Sequence, residues 1–248
     1  MERQRTRGRL REEREFDQTQ LRANHYGYIV HRDYAAHFFR WGWISRQIKH
    51  GSKILDIGCG QDVALARVLA ARLGGNRETY VGVDLNKIKL STWKWARIYD
   101  ECNVLVDWKM IYDTHGLFDH VVCCEVIEHM DVDAGQKLLT VLRKLVKPDG
   151  WIWLSTPVFN GQAAANHIHE YTIDELDRAI RKARCEVVKR YGTFANVRTI
   201  YDELMPYEER VWDRLAAYYG NDVMSMVFAP LYPDASRNIL WKLRRKGA

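Results

Sequence analysis

Between Lys53 and Ser155 the chain alternates short apolar runs with longer stretches of helical periodicity. Runs of this kind, bounded by turn residues, read as buried strands, and the longer segments read as amphipathic helices. The pattern predicts strands at Lys53–Ile57, Thr79–Asp84, Asn103–Val106, Phe118–Cys124 and Trp151–Ser155. Helices are expected over about Asp62–Leu73, Lys87–Arg97 and Asp133–Val146. Gly74-Gly75-Asn76 ends the first of these, Lys147-Pro148-Asp149-Gly150 ends the third, and Pro157 closes the fifth strand. Strands that alternate with helices imply a largely parallel sheet covered on both faces.

The flanks differ. From residue 16 to residue 50 the chain is rich in aromatics, and Phe38, Trp41, Ile44 and Ile48 recur at helical spacing, as in a helical lid lying on the main domain. Beyond Pro157, Thr172 to Ala183 reads as a helix with Thr172 as N-cap and Glu175 three residues on, the spacing of a capping box. Cys185–Tyr191 and Ile239–Arg244 read as strands, with an aromatic helical insert from Thr199 to Tyr219 between them. The expected organisation is a solvated arginine-rich terminus (1–15), the lid (16–50), a ligand-binding core (51–192), and a helical insert with a final strand (193–248) completing the same domain.

Composition narrows the class. An apolar fraction of 47% with 12% aromatics in 248 residues supports a packed core. The sequence has no apolar run of about 18 residues and no apolar leader, so no membrane span is expected. Five cysteines without a Cys-x-x-Cys pair argue against a disulfide framework or structural zinc, and fit a reducing cytoplasm. A net charge of +6 allows an anionic partner without requiring one.

The chemistry gathers first at Leu55-Asp56-Ile57-Gly58-Cys59-Gly60. A strand, a glycine turn and a helix N-terminus receive nucleotide-like ligands. A dinucleotide fingerprint needs a third glycine for the pyrophosphate approach, and that slot holds Val63. The carboxylate of Asp56 would repel a pyrophosphate but suit an ammonium or sulfonium group. S-adenosylmethionine carries both cations. Asp84, ending the second strand, is placed to accept hydrogen bonds from ribose hydroxyls.

Together with Gly82-Val83-Asp84, Phe118-Asp119 and Leu145-Val146-Lys147-Pro148-Asp149-Gly150, this turn resembles the class I S-adenosylmethionine-dependent methyltransferases over roughly residues 50–190. One departure is Asp62, where many members have another glycine. The resemblance implies an α/β, doubly wound, mostly parallel seven-stranded sheet (Rossmann-like) with an N-terminal helix and a C-terminal helical insert. It also implies cofactor contacts at Asp56, Gly58, Cys59, Gly60, Asp84, Leu85 and Glu125, with Asp107 or Trp108 near the adenine.

A second motif, Glu125-Val126-Ile127-Glu128-His129, follows the fourth strand, and Asn166-His167-Ile168-His169-Glu170 follows the fifth. The combination resembles the small-RNA 3′-terminal 2′-O-methyltransferases, and the first half also resembles ubiquinone-pathway O-methyltransferases. The former resemblance implies Mg²⁺ or Mn²⁺ held by Glu125, Glu128, His129 and His169, with His167 as the alternate. On the plainer reading, Glu125 bonds the cofactor's amino group, Glu128 caps a helix and His129 is a general base; Glu128 and His129 are the catalytic candidates. The expected acceptor is a hydroxyl of a nucleic acid or nucleotide, ahead of a small hydroxylated or amine metabolite. A cofactor-binding scaffold without catalysis is the reading from another class.

Overall fold

The computed structural model describes residues 32–74, 79–88, 96–161, 163–195 and 197–247. The arginine-rich terminus lies outside them. In chain order the elements are α1 (Arg32–Gln47), β1 (Ile54–Ile57), α2 (Ala64–Leu73), β2 (Tyr80–Val83), β3 (Arg97–Tyr99), α3 (Val104–His115), β4 (Phe118–Cys124), a 3-10 turn (Ile127–His129), α4 (Val132–Leu145), β5 (Val146–Pro157), α5 (Ile173–Lys182), β6 (Cys185–Ala195), α6 (Val197–Tyr201), α7 (Pro206–Tyr219), α8 (Asn221–Phe228), two further 3-10 turns (Ala229–Leu231 and Pro233–Ala235), and β7 (Ser236–Arg245).

The strands form one seven-stranded sheet in the order β3-β2-β1-β4-β5-β7-β6. All neighbouring pairs are parallel except those made by β7, which runs antiparallel to both β5 and β6. The order reverses between β1 and β4, so the loops leaving these two strands part there and open a crevice at their carboxyl ends.

Strand alternation assigns the two faces. Leu55, Ile57, Val121 and Cys123 point toward α3, α4 and α5, where Ile111, Leu138, Leu142, Leu176 and Ile180 cover them. Ile54, Tyr80, Val122 and Trp153 point the other way, under Ile44 and Ile48 of α1 and Leu65 and Leu69 of α2. A satellite core around Trp212, Met224 and Phe228 holds the insert together. No helix among the described residues is long and apolar enough to cross a membrane.

Several expectations are corrected. Asn103–Val106 is not a strand. Asn103 is the N-cap of α3, its side chain accepting from the Leu105 amide at 3.0 Å while Asp107 accepts from the Asn103 amide at 2.9 Å. That reciprocal cap outweighs the β-prone Val-Leu-Val run. The third strand is Arg97–Tyr99, so Arg97 does not end a helix, and Lys87 and Ile88 are not helical; residues 89–95 of that expectation lie outside the described set. The fifth strand starts five residues early, at Val146, because Lys147–Gly150 forms an irregularity against β4 and not a break. On α1 the buried face is Ala36, Arg40, Ile44 and Ile48, while Phe38 is 84% exposed. The capping box of α5 is present as expected, with Glu175 answering Thr172.

Candidate active site

The crevice begins at the turn after β1. Gly58 (φ 71°) and Gly60 (φ 70°) adopt the left-handed region that glycine enters without steric cost. The Gly58 and Cys59 amides bond the Val83 carbonyl at 2.8 and 3.2 Å, which ties the turn to the end of β2. A Cβ on Gly58 would sit 2.3 Å from Val126 Cγ2, so the exit from β4 rests directly on this turn. A Cβ on Gly60 would meet nothing within 4 Å, so the backbone there faces open space. Asp84 spans the two loops, accepting from the Gly60 amide at 2.9 Å and from the Asn86 amide at 2.8 Å. Leu85 is exposed beside it.

Asp56 is placed otherwise than its sequence position suggests. Its side chain lies in the α1/α2 layer, 2% exposed, and the Tyr80 hydroxyl donates to it. Burial raises its pKa to about 7, the Tyr80 hydrogen bond lowering it and nearby Asp84 raising it. Cys59 is buried in the same layer, and burial pushes its thiol pKa upward. The adenine candidates are also displaced. Asp107 is engaged as the cap of α3, and Trp108 packs toward α4 with Lys144 Nζ 4.1 Å from its ring centroid. The acid that does follow β3 is Asp100, whose Oδ2 accepts from the Ile88 amide at 3.1 Å and joins the loops after β2 and β3.

At the end of β4, Glu125 takes a left-handed conformation (φ 57°), a strained geometry for a residue with a Cβ. Its carboxylate faces a buried arginine that carried no sequence signature as a site residue. Arg40 Nη1 lies 2.8 Å from Glu125 Oε1, and Ser155 Oγ and Asn238 Nδ2 donate to Glu125 at 2.8 and 3.2 Å. Arg40 is 1% exposed, and its Nε has no hydrogen-bond partner among the described residues. The clue in the sequence was the i, i+4 row of Ala36, Arg40, Ile44 and Ile48, which places a guanidinium on the buried side of an apolar helix.

Glu128 and His129 lie on the 3-10 turn, with Glu128 1% exposed. Burial, and then the neighbouring Glu125 charge, push the Glu128 carboxyl up to about 8 against the opposing pull of its backbone bond, Thr156 and Arg40. Thr156 Oγ1 donates to Glu128 Oε2 at 3.1 Å. The loop after β5 docks on this turn, its Ile168 and His169 amides donating to the Glu128 carbonyl at 2.8 and 3.1 Å. His129 Nδ1 is 3.0 Å from the Asn166 carbonyl, which can only accept. Nδ1 of the neutral ring therefore carries the proton and Nε2 keeps its lone pair.

Ligand atoms of Glu128, His129 and His167 lie within 4.8 Å of one another. Of the four-residue set expected from sequence, Glu125 and His169 lie outside this grouping. Glu125 is turned to Arg40, Ser155 and Asn238. His169 packs edge-on against Tyr171 at 4.4 Å, while His167, two residues earlier, meets His129 at 5.1 Å between ring centroids.

A doubly wound sheet with the glycine turn at its switch point and an acid ending β2 defines a class I S-adenosylmethionine-dependent methyltransferase. Residues 26–190 match the methyltransferase domain family, and the chain belongs to it. It is similar to the ubiquinone biosynthesis O-methyltransferase of Pseudomonas aeruginosa strain UCBPP-PA14, with 29% identity over 202 residues, 77% of this chain and 75% of the relative. It shares its fold with the 1,6-didemethyltoxoflavin-N1-methyltransferase of Burkholderia thailandensis, solved with S-adenosylhomocysteine bound (TM-score 0.56, 18% identity, covering 86% of this chain and 79% of that one). A methyltransferase from Archaeoglobus fulgidus has the same fold (TM-score 0.57, 16% identity, 87% and 95% covered). The protein is an enzyme whose cofactor is S-adenosylmethionine, and the open space over Gly60 beside Asp84 fits that ligand.

Proposed function

We propose that the enzyme methylates a hydroxyl oxygen of a small molecule held among Glu128, His129 and His167. The observation that carries this reading is the convergence of those three side chains at the end of β4, where the exit from that strand touches the glycine turn. The name of the Pseudomonas relative, an O-methyltransferase of ubiquinone biosynthesis, supports oxygen as the acceptor atom and a small molecule as its carrier. The placement of two basic groups favours the same choice. Arg181, Lys182 and Arg184 follow α5 to its C-terminus, and Arg244, Arg245 and Lys246 end β7. Both groups sit at the end of the sheet opposite the crevice.

S-adenosylmethionine supplies a methyl carbon bonded to a cationic sulfur, so that an oxygen nucleophile takes the carbon and the S–C electron pair stays on sulfur. Asp84 accepts from the ribose hydroxyls, and Leu85 lies along the nucleoside. Gly58 and Gly60 would admit the methionine part, with Arg40 held behind Glu125 next to it. Glu125 receives its amino group, exchanging part of its contact with Arg40. Where no cation is bound, the Nε2 lone pair of His129 would take the acceptor's proton; a bound cation would claim that lone pair instead. The insert α6–α8, joining the crevice ends of β6 and β7, together with α1, walls the acceptor side.

A divalent cation fits the donor set of one carboxylate and two imidazoles. Glu128, His129 and His167 would hold it, and it would polarise the acceptor hydroxyl and lower its pKa. The test is transfer of labelled methyl to separate RNA, DNA and small-molecule fractions, with and without chelator. Label in the small-molecule fraction, lost in chelator and restored by Mn²⁺ or Mg²⁺, is expected. Label confined to RNA or DNA would overturn the acceptor class, and full activity in excess chelator would remove the cation.

A further inference from the structure

Glu170 lies in the loop between β5 and α5, 5% exposed, although the cap of α5 is already supplied by Thr172 and Glu175. Burying a carboxylate is costly unless donors surround it. Here one oxygen collects three of them. Oε1 accepts from the Ala164 amide at 3.0 Å, from Arg237 Nη2 at 2.7 Å, and from His167 Nδ1 at 2.6 Å. The other oxygen, Oε2, is buried with no hydrogen-bond partner among the described residues. Arg237 comes from the start of β7, and its second arm donates to the Val158 carbonyl where the loop leaves β5.

An oxygen that already accepts from an amide and a guanidinium accepts from the imidazole too. His167 Nδ1 therefore carries the proton, and the lone pair of the neutral ring is on Nε2, the nitrogen that remains available as a donor to the cluster with Glu128 and His129. His129 reaches the same tautomer through the Asn166 carbonyl.

We propose that Glu170 is a positioning residue that fixes His167 as the Nδ1-protonated tautomer and turns its Nε2 lone pair to the acceptor site, with Arg237 holding the carboxylate in place. The use made of that lone pair rests on the acceptor-site reading above; the tautomer itself does not.

The experiment compares the parent with Glu170→Gln, whose amide oxygen still accepts, and Glu170→Met, which fills the volume without an acceptor. Nitrogen-15 spectra of the metal-free protein give the His167 tautomer, Mn²⁺ titration gives cation affinity, and S-adenosylhomocysteine affinity reports the fold. The parent is expected in the Nδ1–H form. Glu170→Met should lose that form and bind Mn²⁺ about 10–100-fold more weakly, the range for losing such a supporting partner. Glu170→Gln should keep the tautomer and recover most of the affinity, with S-adenosylhomocysteine binding unchanged in both. An Nε2–H ring in the parent would overturn the assignment even if Glu170→Met failed to fold, as would a tautomer that Glu170→Met leaves untouched. A tautomer that switches while Mn²⁺ affinity and turnover stay at parent levels would instead refute the place of His167 in the acceptor site and leave the role of Glu170 standing.

Discussion

Asp56 offers a quantitative test of how the cofactor turn is supported. Its carboxyl is 2% exposed, and burial lifts its pKa from 3.8 to about 7. One pKa unit corresponds to about 1.4 kcal/mol, so a shift of roughly three units costs the folded state up to about 4 kcal/mol once the group is ionised in both states. The sign follows from the raised folded value. Below about pH 4 the group is protonated in both states and contributes no difference. As pH rises toward 7 the unfolded chain releases the proton first, and stability falls; above 7 the loss is complete. Asp56→Asn keeps an oxygen to accept from the Tyr80 hydroxyl and removes the titration. Urea unfolding of both proteins across pH 4–8, read as their difference, cancels every other carboxylate. The expected difference tilts toward the Asn variant by as much as about 1.4 kcal/mol per pH unit through this window and is level above it. A difference that stays flat from pH 4 to 8 would show that Asp56 is not the desolvated acid described here.

The two turn glycines should separate strain from collision. Gly58→Ala meets Val126 Cγ2 at 2.3 Å as well as an unfavourable φ, so it should lower the melting temperature more than Gly60→Ala, which carries roughly the 1–2 kcal/mol of left-handed strain alone. Equal losses in thermal scans would count against the contact between the turn and the β4 exit. Asp84→Ala should weaken S-adenosylhomocysteine binding at least 10-fold by calorimetry, since it removes the clamp on the Gly60 amide together with the proposed ribose acceptor; unchanged affinity would misplace the ribose. His129→Ala should lower turnover by about 10²-fold or more while cofactor affinity stays near the parent's; parent-like turnover would take His129 out of proton transfer.

Local signals made much of the fold legible. The apolar runs at Ile54–Ile57, Tyr80–Val83 and Phe118–Cys124 could only be buried strands, because nothing else shelters so short a stretch between turn residues. Thr172 and Glu175 marked the start of α5 through a hydrogen-bond exchange that needs no partner beyond the helix itself. The glycine turn carried its ligand class for the same reason, being a backbone conformation encoded within a few residues. The failures were also local. Around Asn103, strand propensity and a capping pattern competed, and only the fold showed which prevailed.

The site's composition was decided across distances the sequence does not display. Arg40 meets Glu125 from 85 positions away because α1 lies across the end of β4. His167 and His169 are chemically alike and two residues apart. Docking of their loop on the Glu128 carbonyl turns one ring toward His129 and the other onto Tyr171. The sequence by itself determined which residues could do this chemistry and which end of the sheet they would occupy. Only the tertiary structure chose among them, because selecting one side chain over its neighbour depends on long-range partners such as Glu170, Arg237 and Asn166, whose contacts no local pattern encodes.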